Sequence, residues 1–152
     1  CPIYVERQLF KHQIGLTANS ISGRYVDFSD TYTKVNVWRK QSKSSKQGSE
    51  GMLFTDVADK AKFIEEQMID HAKRAYHTLI ELGVSKEQAR TILPLNLNTT
   101  FIWTGSLYAY INMFKQRIDR HSQAETREIA MEMLHQLKLT NNFNLSLEAF
   151  HL

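Results

Sequence analysis

The chain has 152 residues, 42% hydrophobic and 11% aromatic, which fits one domain (1–152) with its own core and excludes wholesale disorder. Its net charge of +3 hints at anionic ligands but is too small an excess to point to nucleic acid, and no apolar run approaches the ~20 residues that span a bilayer. A single cysteine, Cys1, excludes an internal disulfide framework and a Cys-rich zinc site.

The chain opens at Cys1-Pro2 with no starting methionine and no secretory signal, which reads as a processed product or part of a longer protein, with a cytoplasmic setting. Pro2 suits the first turn of a helix, and residues 3–13 read as a mixed apolar and polar helix, with a strand as the competing reading because of Tyr4 and Val5. Residues 15–23 are small and polar and read as an irregular loop carrying hydroxyls and amides. Residues 25–38 are rich in Val, Tyr and Thr and read as extended. Residues 40–51 (KQSKSSKQGSEG) contain no hydrophobic side chain and read as a mobile surface loop.

Asp56 is placed to cap a long helix that runs to Leu82, with Gly83 ending it. Val57, Ile64, Met68, Ala72, Ala75, Leu79 and Leu82 recur every three or four positions as its buried stripe. His71 and His77, six apart and so ~600° round the helix, face different ways and share no metal. Ser85 and Gln88 form a capping box for a short helix that stops before Pro94. Residues 95–103 alternate and read as a strand or an extended loop. Residues 105–120 predict a helix with Leu107, Tyr110, Ile111 and Phe114 on one side. Ser122 and Glu125 form a second capping box, opening a helix through Ala130, Met133, Leu134 and Leu137, and the tail can dock through Phe143, Leu145, Leu147 and Phe150.

Generic catalytic templates are absent: there is no phosphate-binding Walker loop, no GxGxxG, no GxSxG and no HExxH. What remains are arginines, amides and hydroxyls where helices and strands do not require them. Ser22-Gly23-Arg24-Tyr25 can surround a phosphate with donors, or can be a turn followed by a surface arginine. Arg90 stands beside Ala89 just ahead of Pro94, as a ligand group or as half of a surface ion pair. Asn112 and Gln116 are four apart on one helical face with Arg117 at its edge, a set of coplanar forks that could hydrogen-bond a flat heterocycle or simply solvate a helix end.

Taken together these pieces resemble the flavin-dependent thymidylate synthases. That family's signature is Arg-His-Arg, seven or eight residues, then Ser, usually continuing Gly-Arg-Tyr. Here it reads Lys11-His12-Gln13, eight residues, then Ser22-Gly23-Arg24-Tyr25. Ala89-Arg90 with Leu93-Pro94 matches a second block, and Trp103-Thr104, Asn112, Arg117, Asp119, His121, Gln123 and Glu125 follow at matching spacings. The resemblance spans nearly the whole chain. The sequence departs from the family at Lys11 and Gln13, where it has arginines, at Ser20, where a glutamate is usual, and at Ser106-x-Tyr108 in place of Asn-x-Arg. The family also carries more chain ahead of this point, including part of the flavin site.

The resemblance implies an α+β fold, several helices on a small mixed or antiparallel sheet, and assembly as a homotetramer with no nucleic acid or membrane partner. It implies reductive methylation of dUMP to dTMP, with methylenetetrahydrofolate as carbon donor and FAD, reduced by NADPH, as reductant. It assigns Gln8, Lys11, Ser20, Ser22, Gly23, Arg24, Arg90 and Arg117 to dUMP, with Arg117 as the catalytic group facing the uracil. It assigns Lys11, His12, Gln13, Ser20, Ser106, Tyr108 and Asn112 to FAD, and no residue to a metal. Two alternatives follow from the departures on the flavin side: a family member that makes 5-hydroxymethyl-dUMP, and a non-catalytic protein that still binds dUMP.

Overall fold

The structure is a computed structural model describing residues 1–25, 31–44 and 48–152. Among these residues, six α-helices, one 3-10 turn and four short strands in two 2-stranded sheets make an α+β fold. The chain divides into two compact units, Cys1–Tyr4 with Ser20–Phe101, and Val5–Asn19 with Ile102–Leu152.

In the first unit the long element is α2, Thr55–Glu81. It buries Ile69, Ala72 and Tyr76, at spacings of three and four, and packs against the short helix α3, Lys86–Ala89, and the 3-10 turn Arg90–Ile92. The predicted stripe is therefore corrected: of its members only Ala72 is buried, while Ile64 and Met68 are 61% and 57% exposed. The helix is apolar on more than one face, and Ala72 belongs to both candidate stripes, so the 3.6-residue period alone does not select the buried one. The N-cap is Phe54, not Asp56; the Phe54 carbonyl takes the amides of Val57 and Ala58 at 3.0 and 2.9 Å. Asp56 lies in the first turn, where a carboxylate complements the positive end of the helix. Gly83 ends α2 as expected, at φ +86° in the left-handed region.

Ser85 is the N-cap of α3, but through its carbonyl, which accepts from Gln88 and Ala89; the side-chain capping box is not formed. Leu93, ahead of Pro94, is extended as a pre-proline residue must be. The predicted loop over 40–51 is corrected at both ends. β2, Arg39–Gln41, pairs antiparallel with β3, Ser49–Met52, while residues 45–47 lie outside the described residues. The residues of these strands are mostly polar, and Arg39 Nε also donates across the pair to Ser49 Oγ at 2.9 Å, so no apolar alternation marked them. The extended reading of 25–38 falls partly outside the described residues, at 26–30. Beyond them Tyr32 bridges Leu97, and Thr33 and Asn98 exchange backbone bonds with Asn96 and Thr31. Leu97 and Thr99 point inward, which fits the alternation read there.

Helix α1, Ile3–Leu9, shares residues with both units and stops short of the predicted 13. In the second unit its Val5 and Leu9 are fully buried. The predicted loop at 15–23 is corrected: Leu16–Ser20 is strand β1, paired with β4, Phe101–Gly105. Only Leu16 of β1 is buried, so the strand carries no period-two pattern; a partner strand, not local propensity, makes it. Gly105 accordingly ends a strand, and helix α4 runs Leu107–Arg117, burying Ala109, Ile111, Met113 and Phe114. The N-cap of α5, Ala124–Leu139, is Gln123, one residue beyond the predicted Ser122, and α5 packs on α4. The tail docks through Leu147 of α6, Asn144–Ala149, while Leu145 is exposed.

Candidate active site

A close approach of two glycines shapes the site in the second unit. A Cβ at Gly105 would collide with the Gly15 carbonyl and the Leu16 side chain, and Gly15 itself sits at φ +72°. Only side-chain-free residues allow this contact. It lets the Ser106 amide donate to the Gly15 carbonyl at 3.2 Å and seats the 11–15 turn against the first turn of α4. Ser106 caps that helix, its Oγ accepting from the Ala109 amide at 3.2 Å.

Between the turn and α4 lies a cavity of about 410 Å³, within the range of small-molecule sites. Lys11, His12, Gln13, Ser106, Tyr108 and Asn112 all line it, so six of the seven residues expected to contact a flavin meet at one place. The seventh, Ser20, belongs to the first unit. Gln116 and Arg117 complete the wall, in keeping with the shared face of Asn112 and Gln116. Lys11 and Asn112 are exposed, while His12 and Arg117 are half-buried.

Arg117 is the most constrained side chain here. Its Nε donates to Nε2 of His12 at 2.8 Å and its Nη2 to the Gln8 carbonyl at 2.9 Å. The Gln8 side-chain amide in turn donates to Oε1 of Gln123, the N-cap of α5. Burial lowers the Arg117 pKa. Burial also lowers the His12 pKa, and the neighbouring Arg117 charge adds to it, so His12 is held neutral. Asp119 and His121 pair with each other at 2.9 Å.

The first unit gathers the residues expected at a nucleotide phosphate. Ser22 Oγ accepts from the Arg24 amide at 3.3 Å in a turn that contains the buried Gly23. The Arg24 guanidinium lies over the Tyr25 ring and 3.4 Å from the Glu87 carboxylate, with both side chains about half exposed. Arg90 Nε donates to the Glu87 carbonyl at 3.4 Å. Glu87 thus links Arg24 and Arg90. Sequence reasoning passed over it, because an acidic residue three before an arginine on a short helix looks like any surface pair. Among the described residues no group of three or more His, Cys, Asp or Glu could hold a metal, and no helix is long and apolar enough to cross a membrane.

The family described as thymidylate synthase complementing protein matches residues 1–140. A flavin-dependent thymidylate synthase of Thermus thermophilus is 38% identical over 129 residues, 85% of this chain and 46% of the relative. One from Kosmotoga olearia is 35% identical over 130 residues, 86% of this chain and 56% of the relative. One from Dictyostelium discoideum is 32% identical over 138 residues, 85% of this chain and 43% of the relative. The chain therefore spans about half the length of these relatives. In structure it is similar to the UMP/dUMP methylase PolB from Streptomyces cacaoi bound with 5-Br UMP. The TM-score is 0.86 and the identity 21%, covering 98% of this chain and 70% of that one.

Proposed function

This chain belongs to the thymidylate synthase complementing protein family, and on that premise we propose that it carries out the reductive methylation of dUMP to dTMP. The carbon donor in this reading is methylenetetrahydrofolate, the cofactor FAD, and the reductant NADPH. The observation that carries the reading is the cavity in which Lys11, His12, Gln13, Ser106, Tyr108 and Asn112 meet beside an anchored Arg117. The named relatives support thymidylate synthesis with a flavin, and the structural neighbour supports the fold.

The donor set fits a flavin dinucleotide. Lys11 offers a point charge to a pyrophosphate, and Gln13, Asn112 and Tyr108 offer amide and phenol groups to ring edges. Neither Lys11 nor Gln13 has the bidentate fork of an arginine, so each makes fewer parallel bonds to an anion. When bound, the flavin supplies the hydride that completes the new methyl group. The protein's part is to bind and polarise the nucleotide. A protonated guanidinium favours negative charge at N3 and O2 of uracil, which makes C5 a better nucleophile towards the methylene carbon. Arg117 has that role. Ser22, Gly23, Arg24 and Arg90 take the dUMP phosphate, with Gln8, Lys11 and Ser20 assigned to the same nucleotide. The working assembly in this reading is a homotetramer in the cytoplasm, where reduced folate and NADPH are supplied.

An absorption titration tests the binding half of this reading. FAD added to the protein should be retained through gel filtration, and its visible bands should shift when dUMP is added. Flavin that elutes free, with bands indifferent to dUMP, would contradict it.

A further inference from the structure

We propose that His12 is a positioning residue, whose Nε2 lone pair, with the Gln8 carbonyl, fixes the side edge of Arg117 and leaves its terminal edge to the pyrimidine. The inference rests on the reading of Arg117 as the group that faces uracil.

A guanidinium has five N–H donors in one plane. Nε–H and the nearer Nη2–H lie along one side of that plane. Nη1–H and the other Nη2–H form a second fork at its tip. In this protein the side fork is occupied: Nε donates to His12 at 2.8 Å and Nη2 to the Gln8 carbonyl at 2.9 Å. The tip keeps two parallel donors, which match two adjacent in-plane acceptors such as O2 and a deprotonated N3 of uracil. A long side chain anchored at one edge has surrendered its torsional freedom before the ligand arrives, so less entropy opposes binding. The anchor is itself held, because the Gln8 amide is tied to Gln123 at the start of α5.

Arginine can only donate, so Nε2 of His12 must carry a lone pair. The proton of the neutral ring then sits on Nδ1, the tautomer that free histidine favours less. Arg117 on α4 faces the ring and opposes its protonation, and Lys11, next to it in the chain, lines the same cavity. A proton taken up at Nε2 would remove the acceptor and set two cations side by side. The folded-state pKa of His12 lies below its ordinary ~6.5, so the anchor is intact above that pH and is lost as pH falls through the lowered value.

Two measurements test this. Long-range proton–nitrogen correlation on the isotope-labelled wild-type chain should show His12 as the neutral Nδ1–H tautomer at pH 7.5; an Nε2–H tautomer overturns the proposal whatever the protein binds. Calorimetry with dUMP in the presence of FAD is the second. His12→Phe, which keeps a flat ring without the acceptor, should weaken dUMP binding about tenfold or more. His12→Gln, whose amide oxygen can replace Nε2, should stay within about threefold of wild type. On acidification wild type should lose affinity relative to His12→Gln, since titration of the phosphate near ~6 is common to both. Wild-type affinity in His12→Phe, with Arg117→Ala strongly impaired, overturns the positioning role alone. Absence of dUMP binding by wild type, or indifference to Arg117→Ala, overturns the reading of the base site and the proposal with it.

Discussion

Arg117 shows what a single side chain contributes when its surroundings leave it only one free edge. Lysine at this position would keep the positive charge but could not donate to His12 and Gln8 while also presenting a flat fork. Arg117→Lys should therefore raise the dUMP dissociation constant about tenfold or more and lower the rate of dTMP formation further still, about a hundredfold. Separate measurement of single-turnover rate and dUMP affinity checks this, and equal, small changes in both would place Arg117 away from the base. At this scale the family resemblance, not spacing, singled out Lys11, His12 and Gln13 just after α1, and Ser106, Tyr108 and Asn112 at the cap and along α4, and all six line one cavity. The contact between His12 and Arg117 was not legible, because it joins residues 105 apart through folding rather than spacing. Nor was the tie between Arg24 and Glu87, for the same reason.

Elements in this protein were readable when they carried a periodic apolar face, and unreadable when bonds between mostly polar strands made them. Helices α4 and α5 announce themselves through Ile111, Phe114 and Ala130, all buried. Strand β1 and the β2–β3 hairpin do not, since most of their side chains are polar and exposed and the bonds that form them come from another stretch of chain. Helix α2 failed in the opposite way. It has more apolar residues than its neighbours can cover, and the period fits two adjacent stripes equally well. The pairing of β1 with β4 depends on Gly105, whose place leaves no room for a methyl group. Gly105→Ala should cost about 1–3 kcal/mol, read as a lower urea midpoint, and should weaken flavin binding by displacing the 11–15 turn from α4. An unchanged midpoint would mean that the strands can part slightly without consequence.

For the whole molecule, the α+β class followed from the family resemblance, whereas the division into two units did not follow from any composition shift. The chain crosses between them within α1 and at the ends of β1 and β4, places with no linker signature. Function was legible only as an ordered set of weak motifs. Each of Arg24, Arg90 and Arg117 has an ordinary surface explanation by itself, and their order along a family pattern that matches residues 1–140 gives them their roles in the proposed chemistry. Product formation tests all of those roles at once. The purified chain would be incubated anaerobically with dUMP, methylenetetrahydrofolate, FAD and NADPH, and the nucleotides resolved by mass. The account predicts dTMP, formed only when all four are present and lost in Arg117→Ala. Recovery of unchanged dUMP, or of a hydroxymethyl product one oxygen heavier than dTMP, would contradict it.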